Sequence, residues 1–373
     1  MMENNSQSKK FNRPKAFKIF FVVIATLLLL GFAYWIFFLN HYQSTDNAYV
    51  AAPQIQITSQ VEGTLADVEV VETQLVKAGD LLFKIDSTEA KIASQMADAE
   101  LLRAYRSSRS AILLAKQRKS EVDRLRSELS RRQSLKGIAS VSAEELENIR
   151  TQFESASSAY KQALEIADGL TDSSEAINHP DVLKASAASK QAYVAFIRAN
   201  VLSPVNAVIA KRNAQVGQRV APGTPLATLI MNDDIWVDAN FKEDQLKYMR
   251  IGQPVELSAD IYGSKVTYKG MVVGFSPATG SNLSLLPAQN ATGNWVKVVQ
   301  RLPVRIALNS EELKKNPLQM GLSMSATVDT SKQDGPSLQS MDGNKAISTD
   351  VYEKQQVEAD KHIEELLSKA AKR

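Results

Sequence analysis

Two stretches of this chain, more than a hundred residues apart, align with each other without a gap. A shift of 144 residues places Ser59–Asp86 over Ser203–Ile230. The identical pairs are Ser59 and Ser203, Val61 and Val205, Ala66 and Ala210, Gln74 and Gln218, Val76 and Val220, Gly79 and Gly223, and Leu82 and Leu226. Each stretch has the pattern of short strands around a turn, and each is too short to close a hydrophobic core alone. We therefore expect the two halves to pack together as one small β domain.

The segment between these halves, Thr88–Ala199, has the periodicity of two long helices folded back on each other. Apolar or small residues recur at alternating steps of three and four, the spacing that keeps one stripe of a supercoiled helix against a partner. The first arm carries the stripe at Ala90, Ser94, Ala97, Leu101, Ala104, Ser108, Ala111, Ala115, Arg118, Val122, Leu125 and Leu129. The second arm carries it at Leu146, Ile149, Phe153, Ala156, Tyr160, Ala163, Ala167 and Leu170, and again at Ala185, Ala188, Ala192, Ala195 and Ala199. At ~1.5 Å rise per residue each arm is predicted to span roughly 65–70 Å.

A tight turn at Lys136–Ser142 is expected to join the arms. Gly137 can adopt a positive φ after the first helix, and Ser142 with Glu145 forms a Ser-x-x-Glu capping box that opens the second. The stretch Gly169–Pro180 interrupts the second arm and is expected to loop out without disturbing the pairing. The turn favours an intramolecular hairpin over a dimerisation coiled coil, which the stripe alone would also allow.

The two flanking halves resemble a biotinyl/lipoyl-like β-sandwich that is split by an insertion. A carrier domain of that kind presents a modifiable lysine on the β-turn between its halves. The inserted helices occupy that position here, so the sequence argues against a biotin or lipoyl carrier. Because both arms start from one small domain, that domain is expected to fix their direction.

An apolar run near the amino terminus predicts a membrane anchor. Ile19–Leu39 contains 21 residues without a charge, close to the ~20 that a helix needs to cross the hydrocarbon layer. Basic residues precede it at Lys9, Lys10, Arg13, Lys15 and Lys18. The positive-inside rule then places residues 1–18 in the cytoplasm and everything after Leu39 on the other side of the membrane. The alternative is a cleaved signal peptide, but the run exceeds a typical signal-peptide core and no A-x-A site follows it.

The part after the second half, Ile235–Thr330, is predicted to be mostly β-structure. Its short strands and turns suggest a small barrel or sandwich, which an early strand near Ala48–Ile57 is expected to join. The predicted strands are Ile235–Phe241, Val255–Asp260, Lys265–Phe275, Trp295–Val299, Val304–Leu308 and Ser325–Asp329. The glycine-rich Ser276–Asn294 is either a surface loop or a contact with another subunit or a transporter. Ser331–Thr349 indicates a linker, and Tyr352–Ala371 a weakly amphipathic helix that is solvated or held by a partner.

No pattern typical of a catalytic or metal site occurs in the sequence. The absence of cysteine excludes disulfides, thiolate ligands, a cysteine nucleophile and a lipidated amino-terminal cysteine. The three histidines, His41, His179 and His362, have no ligand spacing, and the common nucleophile and nucleotide-binding motifs are missing. A net charge of +3 indicates no nucleic-acid-binding surface. We therefore expect neither enzymatic activity nor a cofactor.

The order of these parts resembles the HlyD-type membrane fusion proteins, the periplasmic adaptors of Gram-negative tripartite pumps. Four segments resemble the EmrA branch of that family: STDNAYVAAPQIQI (Ser44–Ile57), IWVDANFKE (Ile235–Glu243), MRIGQPVELSADIYG (Met249–Gly263) and LLPAQNATGNWVKVVQRLPVRI (Leu285–Ile306). The resemblance extends from the anchor to about Asp329, and the polar tail after Ser331 departs from it.

The resemblance implies a role rather than a reaction. Relatives of this kind join an EmrB-like major-facilitator drug/proton antiporter in the inner membrane to a TolC-like outer-membrane channel, and they act as homo-oligomers. The family's hairpin tip contacts the outer channel through an Arg, a Leu and a Ser, and Arg131, Leu135 and Ser142 stand at the matching offsets of four and then seven residues. An adaptor for another cargo, such as aromatic acids or siderophores, and a structural coiled-coil protein of the envelope are the alternatives.

The predicted fold class is α+β and multidomain, with a single amino-terminal transmembrane helix, a split biotinyl/lipoyl-like β-sandwich, a long antiparallel α-helical coiled-coil hairpin and a small β-barrel. The predicted domains are a basic cytoplasmic tail (1–18), the transmembrane helix (19–39), the β-barrel (45–58 and 233–330), the lipoyl-like domain (59–87 and 200–232), the hairpin (88–199) and a polar linker with a carboxy-terminal helix (331–373). The bulk of the chain is expected in the periplasm.

Overall fold

The computed structural model describes residues 13–34, 41–135, 142–279, 299–336 and 348–372. Its strands are β1 (Tyr42–Ala51), β2 (Gln54–Thr58), β3 (Gly63–Val68), β4 (Leu75–Val76), β5 (Leu81–Ile85), β6 (Asn200–Leu202), β7 (Ala207–Arg212), β8 (Arg219–Val220), β9 (Pro225–Ile230), β10 (Trp236–Lys242), β11 (Pro254–Ala259), β12 (Thr267–Phe275), β13 (Arg301–Leu308) and β14 (Ser323–Asp329). Its helices are α1 (Arg13–Tyr34), α2 (Thr88–Ser134), α3 (Ala143–Ile166), α4 (Pro180–Ile197), α5 (Ser310–Lys315) and α6 (Val351–Ala371), with 3-10 helices at Ser173–Asn178, Gln245–Tyr248 and Gly263–Lys265.

The chain divides into two compact units, and each is built from two separate parts of the sequence. One unit consists of Met1–Pro53 and Met231–Ala346, and the other of Gln54–Ile230 and Ile347–Arg373. The first contains the barrel. The second contains the sandwich, the hairpin and α6.

The first unit contains a closed barrel of antiparallel strands in the order β1-β10-β13-β12-β11-β14. The alternation read from the sequence of β10 sets its orientation, because Val237, Ala239 and Phe241 are fully buried while the residues between them are partly exposed. Together with inward side chains of the other strands they form one apolar core. The predicted barrel is therefore confirmed. Residues 280–298 lie outside the described part of the chain, and they include most of the glycine-rich loop and all of the predicted strand 295–299 except Val299.

The early strand segment differs from the prediction. The sequence suggested that Ala48–Ile57 joins the barrel, but β1 ends at Ala51, and β2 pairs with β9 of the sandwich. Pro53 lies between the two strands, and a proline has no N–H with which to continue a ladder. Residues 54–58 therefore belong to the sandwich and only the preceding strand to the barrel.

The two repeated stretches interleave in one sandwich made of the sheets β2-β9-β7-β4 and β6-β5-β3-β8. Each sheet contains strands from both halves, so neither half completes a sheet alone. The shift of 144 residues that aligns the sequences also carries β3 onto β7 and β4 onto β8 with identical bounds. The prediction that the halves pack together is confirmed.

Residues that are identical in the two halves make equivalent hydrogen bonds across the sandwich. The Gly79 N–H donates to the Ser203 carbonyl, and the Gly223 N–H donates to the Ser59 carbonyl, both at 2.8 Å. Both glycines have a left-handed backbone, with φ of +91° and +90°, which most side chains oppose. The repeated residues thus connect each half to the other.

The helical hairpin is confirmed, with α2 packed against both α3 and α4. The 47 residues of α2 correspond to about 70 Å at ~1.5 Å per residue. Most of its buried positions follow the predicted stripe, at Ser94, Leu101, Ser108, Ala115, Val122 and Leu125. Tyr105 and Ile112, one position beyond the predicted Ala104 and Ala111, are buried as well. They belong to an apolar cluster that also includes Ile363 of α6, so a second side of α2 is covered.

The prediction that Gly169–Pro180 loops out is wrong. After the end of α3, Asp168 and Gly169 both have a left-handed backbone, with φ of +52° and +74°, and Ser173–Asn178 then forms a 3-10 helix. Its Ala176 is fully buried in the cluster with α2, and the Ser108 hydroxyl donates to the Ala176 carbonyl at 3.3 Å. The segment is a packed interruption of the arm, because its small apolar residue fits against the first arm.

The expectation that the carboxy-terminal helix is solvated is also wrong. In the second unit α6 packs on α2 and α4, and its Val351, Ala359 and Ile363 are buried. The weak amphipathic pattern could not reveal this contact, because the helices that cover it lie more than 150 residues earlier in the sequence.

Polar side chains of α6 also meet the hairpin. His362 Nε2 lies 2.9 Å from Asp98 Oδ2 of α2, and its ring stacks on Tyr193 of α4 with centroids 4.1 Å apart. Two residues before His362, Asp360 pairs with Lys190. The tail helix is thus held by both apolar and charged contacts.

Helix α1 covers part of the predicted anchor. It ends at Tyr34, and residues 35–40 lie outside the described part of the chain. Among the helices of the described residues, none combines the length and the hydropathy required to span a membrane.

Thr73 generates a first testable prediction. It occupies the position equivalent to Gly217, and both have a left-handed backbone, with φ of +70° and +83°. That conformation costs a residue with a Cβ roughly 1–2 kcal/mol, whereas the extra backbone entropy of glycine costs about 0.5–1 kcal/mol. Thr73→Gly should therefore raise the free energy of unfolding by about 0.5–1 kcal/mol, and Gly217→Thr should lower it. Urea unfolding of the full chain measures both.

Thr64 supplies the matched control for this comparison. It lies in β3, outside the set of residues with positive φ, so Thr64→Gly should lower the free energy of unfolding. A loss in Thr73→Gly as large as that in Thr64→Gly would contradict the proposed strain.

Candidate functional site at the hairpin tip

The three residues singled out at the tip lie at the facing ends of α2 and α3. Arg131 is exposed in the last turn of α2, and Leu135, 39% exposed, follows that helix directly. The two are four residues apart and therefore share one face of the helix. Ser142 is the N-cap of α3. Residues 136–141 lie outside the described part of the chain, and with them Gly137 of the predicted turn.

One of the two hydrogen bonds of the predicted capping box is present at the start of α3. Ser142 Oγ accepts the Glu145 backbone N–H at 3.1 Å. The Glu145 carboxylate contacts Arg132 of α2. The Ser142 hydroxyl can still donate its own proton while it accepts in the cap. Its position is therefore fixed by the helix end.

Arg132, which the sequence did not single out, connects the two helix ends. Its Nη2 lies 2.9 Å from Glu128 Oε1 on α2, and its Nη1 pairs with Glu145 Oε1 on α3. The hydrogen bond to Glu128, followed by that to Glu145, raises the pKa of the guanidinium against the opposing effect of burial. The i, i+4 spacing from Glu128 could have suggested the first contact. The second depends on the geometry of the turn, which the sequence does not give.

Further charged and aromatic contacts lie just below the tip. The Arg124 guanidinium donates to both oxygens of Glu121 at 3.0 and 2.8 Å, and this hydrogen bonding lowers the pKa of the Glu121 carboxyl. Because the pKa is lowered, the pair contributes at neutral pH and weakens as the pH falls through the carboxyl's pKa. The Arg126 guanidinium lies 5.8 Å from the centre of the Phe153 ring on α3, a contact between the arms.

The tip presents two kinds of exposed side chain. Arg131 offers a guanidinium that can bind carboxylates or carbonyl oxygens, and Leu135 offers apolar surface beside it. Where the structure describes the chain, no three histidine, aspartate or glutamate side chains come close enough together to hold a metal ion. His179 caps α4 and His362 meets Asp98, so these two histidines have structural contacts.

Comparison with known proteins gives the family. A family model described as the barrel-sandwich hybrid domain of RND membrane fusion proteins matches residues 53–232. The fatty acid resistance protein FarA of Neisseria gonorrhoeae is 43% identical over 303 residues, which cover 78% of this chain and 77% of that protein. The multidrug export protein EmrA of Escherichia coli K12 is 39% identical over 332 residues, covering 85% and 83%.

A solved structure of the periplasmic adaptor protein EmrA is 16% identical, with a TM-score of 0.39, and covers 78% of this chain and 98% of its own. The sequence relatives, rather than this superposition, decide the assignment. Since identities of 39–43% extend over more than three quarters of the chain, it belongs to the HlyD-type membrane fusion proteins, in the EmrA branch.

Proposed function

We propose that this chain is the periplasmic adaptor of a tripartite multidrug efflux pump. It joins an inner-membrane major-facilitator transporter of the EmrB type to a TolC-like outer-membrane channel, and it works as a homo-oligomer. The observation that carries this proposal is a long hairpin inserted into a split sandwich, in a chain 39% identical to a multidrug export protein. The adaptor transmits contact and performs no reaction.

The way in which the hairpin leaves the sandwich supports a contact between its tip and a distant partner. The arms leave from β5 and β6, which are paired neighbours in one sheet, with Lys84 opposite Asn200. The Ile85 N–H donates to the Ala199 carbonyl at 2.8 Å, directly at the base of both arms. On the first arm Asp86 accepts from the Thr88 N–H at 3.0 Å. Because both helices start from bonded strands, the sandwich holds their direction.

The contacts along the arms support stiffness over the same distance. Apolar burial on α2 extends from Leu101 to Leu125, and Arg132 links the helix ends at the tip. At the base, α6 adds a further packed helix. An arm of about 70 Å that is supported along its length can keep a tip in place for a partner.

An anchor in the inner membrane completes the proposed arrangement. The apolar run Ile19–Leu39 spans the membrane once, with residues 1–18 in the cytoplasm and the bulk of the chain in the periplasm. The basic residues before the run and their absence directly after it support this orientation. The anchor would hold the adaptor beside its transporter.

The cargo has a second candidate. The relative with 43% identity is named for fatty acid resistance, which favours an amphipathic acid over a mixed set of drugs. Both cargoes use the same adaptor role, so only the transporter differs. A resistance panel in a strain that lacks the chain distinguishes them: sensitivity to fatty acids alone supports the second cargo. A purely structural envelope protein would leave the whole panel unchanged.

The tip provides the test of the outer-channel contact. Arg131→Asp or Leu135→Ser should abolish drug resistance, because Arg131, Leu135 and Ser142 are proposed to meet the channel. Both side chains are exposed, so the free energy of unfolding should change by less than about 0.5 kcal/mol. Resistance assays, with cross-linking to the channel, measure the first effect, and urea unfolding measures the second.

Two variants control this test. Leu114→Ser changes a leucine of α2 that is 40% exposed, almost the same as Leu135, but lies away from the tip, and it should leave resistance intact. Arg132→Met should loosen the helix ends and speed amide hydrogen exchange there, because it removes the pairs with Glu128 and Glu145. Unchanged resistance and normal cross-linking in the Arg131 and Leu135 variants would refute the assigned contact.

Removal of the proposed anchor gives a separate prediction. A chain lacking residues 1–40 should be soluble without detergent and folded, because the barrel begins at β1 and the sandwich at β2. Fractionation and circular dichroism of the purified protein measure this. An insoluble product would instead mean that the anchor or a partner is required for folding.

A further inference from the structure

A small cavity lies where the sandwich, the base of the hairpin and α6 meet within the second unit. Its volume is about 90 Å³, enough to hold several water molecules. The cavity is lined by β2, β6, the residue after α4 and the first turns of α6. Both strands stand at the edges of their sheets, so each has a neighbouring strand on one side only in the sheets that the structure describes.

Two of the residues that line this cavity carry a buried polar atom that has no hydrogen-bond partner among the described residues. The atoms are Arg198 Nε, a donor, and Gln355 Oε1, an acceptor. Gln355 is only 8% exposed, so bulk water does not reach most of its side chain. Buried polar atoms are nearly always hydrogen-bonded in native proteins. Two unpaired atoms on the same cavity therefore indicate that it has an occupant.

The charge around the cavity gives the sign of that occupant. Arg198 is the charged residue of the lining, and no acidic side chain is among the described residues that line it. The remaining polar lining consists of amide and hydroxyl groups from Gln56, Thr58, Gln60, Asn200 and Tyr352. These groups can donate hydrogen bonds to an anion, and Gln355 can do so through its amide nitrogen.

The amino end of α6 adds to the positive potential. Val351 and Tyr352 of its first turn line the cavity. The Asp350 side chain does not cap the helix, because its carboxylate pairs with Lys354 Nζ at 2.6 Å. The dipole of α6 adds positive potential at the cavity, and the carboxylates of Asp350 and Glu353 in the first turn offset part of it.

We propose that this cavity binds a small oxyanion, a phosphate or carboxylate group, between Arg198 and Gln355. The Arg198 Nε–H donates to one oxygen. A 180° rotation of the Gln355 amide exchanges its oxygen and nitrogen, so the side chain accepts from a protonated oxyanion or donates to a deprotonated one. The bound group bridges the end of α4, the sandwich edges and α6, and so it holds the carboxy-terminal helix against the hairpin base.

Titration of the full-length protein in detergent tests the site. Inorganic phosphate and acetate are added separately at constant ionic strength, with chloride as the reference anion. Saturable binding of at least one oxyanion is expected, together with slower amide hydrogen exchange in the first half of α6. The stronger of the two ligands identifies the source as a phosphate or a carboxylate. The measurement needs no transporter, so it is independent of the proposed export function.

Variants of the two unpaired residues give the expected losses. Arg198→Met should weaken binding about 10–100-fold, as expected for a charged hydrogen bond, and Gln355→Leu about 2–10-fold for a neutral one. Gln356→Leu and Arg103→Met change exposed residues of the same chemistry that do not line the cavity, and they should leave binding unchanged. If Arg198→Met does not fold, Gln355→Leu decides, because leucine has nearly the same volume as glutamine.

Three results would overturn the proposal. The first is no saturable binding of either oxyanion, which would mean that water alone fills the cavity. The second is binding that survives both substitutions. The third is a rise in the unfolding midpoint of Gln355→Leu in phosphate or acetate buffer, since removing an unneeded buried acceptor would then stabilise the fold.

Discussion

Hydrogen bonds between the two halves of the sandwich are the interaction on which the second unit depends. Gly79 and Gly223 each donate to the serine carbonyl of the opposite half, and both sheets contain strands from both halves. Neither half has a complete sheet without the other. The sequence between them is therefore free to be long, provided that its two ends return to adjacent strands. The pairing of β5 with β6 meets that condition.

The hairpin extends from these paired strands, and a few kinds of contact hold its arms together. Alternating apolar positions pack the arms, Arg132 joins the helix ends, and the packed 3-10 segment keeps the interruption of the second arm in contact with α2. The helix α6 then returns from the end of the chain to the hairpin base, where His362 meets Asp98 and Tyr193. The helices thus place the tip far from the sandwich strands that hold their base.

The parts of this fold that the sequence predicted are those that repeat. The 144-residue shift gave the sandwich, the heptad stripe gave the hairpin, and the alternation around Val237 and Ala239 gave a barrel strand. The parts that it missed depend on single contacts between distant segments. Ala176 is buried because Ser108 and its neighbours lie opposite it. Ile363 is buried because α6 packs on a second side of α2. At the tip, the family resemblance singled out Arg131, Leu135 and Ser142 as a predicted contact, whereas the Arg132–Glu145 pair depends on how the ends of α2 and α3 meet.

The split of the sandwich also constrains how the chain can fold. The sheet that contains β3 and β5 is completed only by strands among β6–β9, which lie more than a hundred residues later. Until those strands pair, β3 and β5 expose unpaired edges that can form wrong contacts. Contacts of such separation close slowly, because the entropy of the intervening loop opposes them. The hairpin reduces this entropy cost, because the packing of its neighbouring helices brings Ile85 and Ala199 together. The helices that carry the tip outwards thus also bring the two halves of the sandwich close to each other during folding.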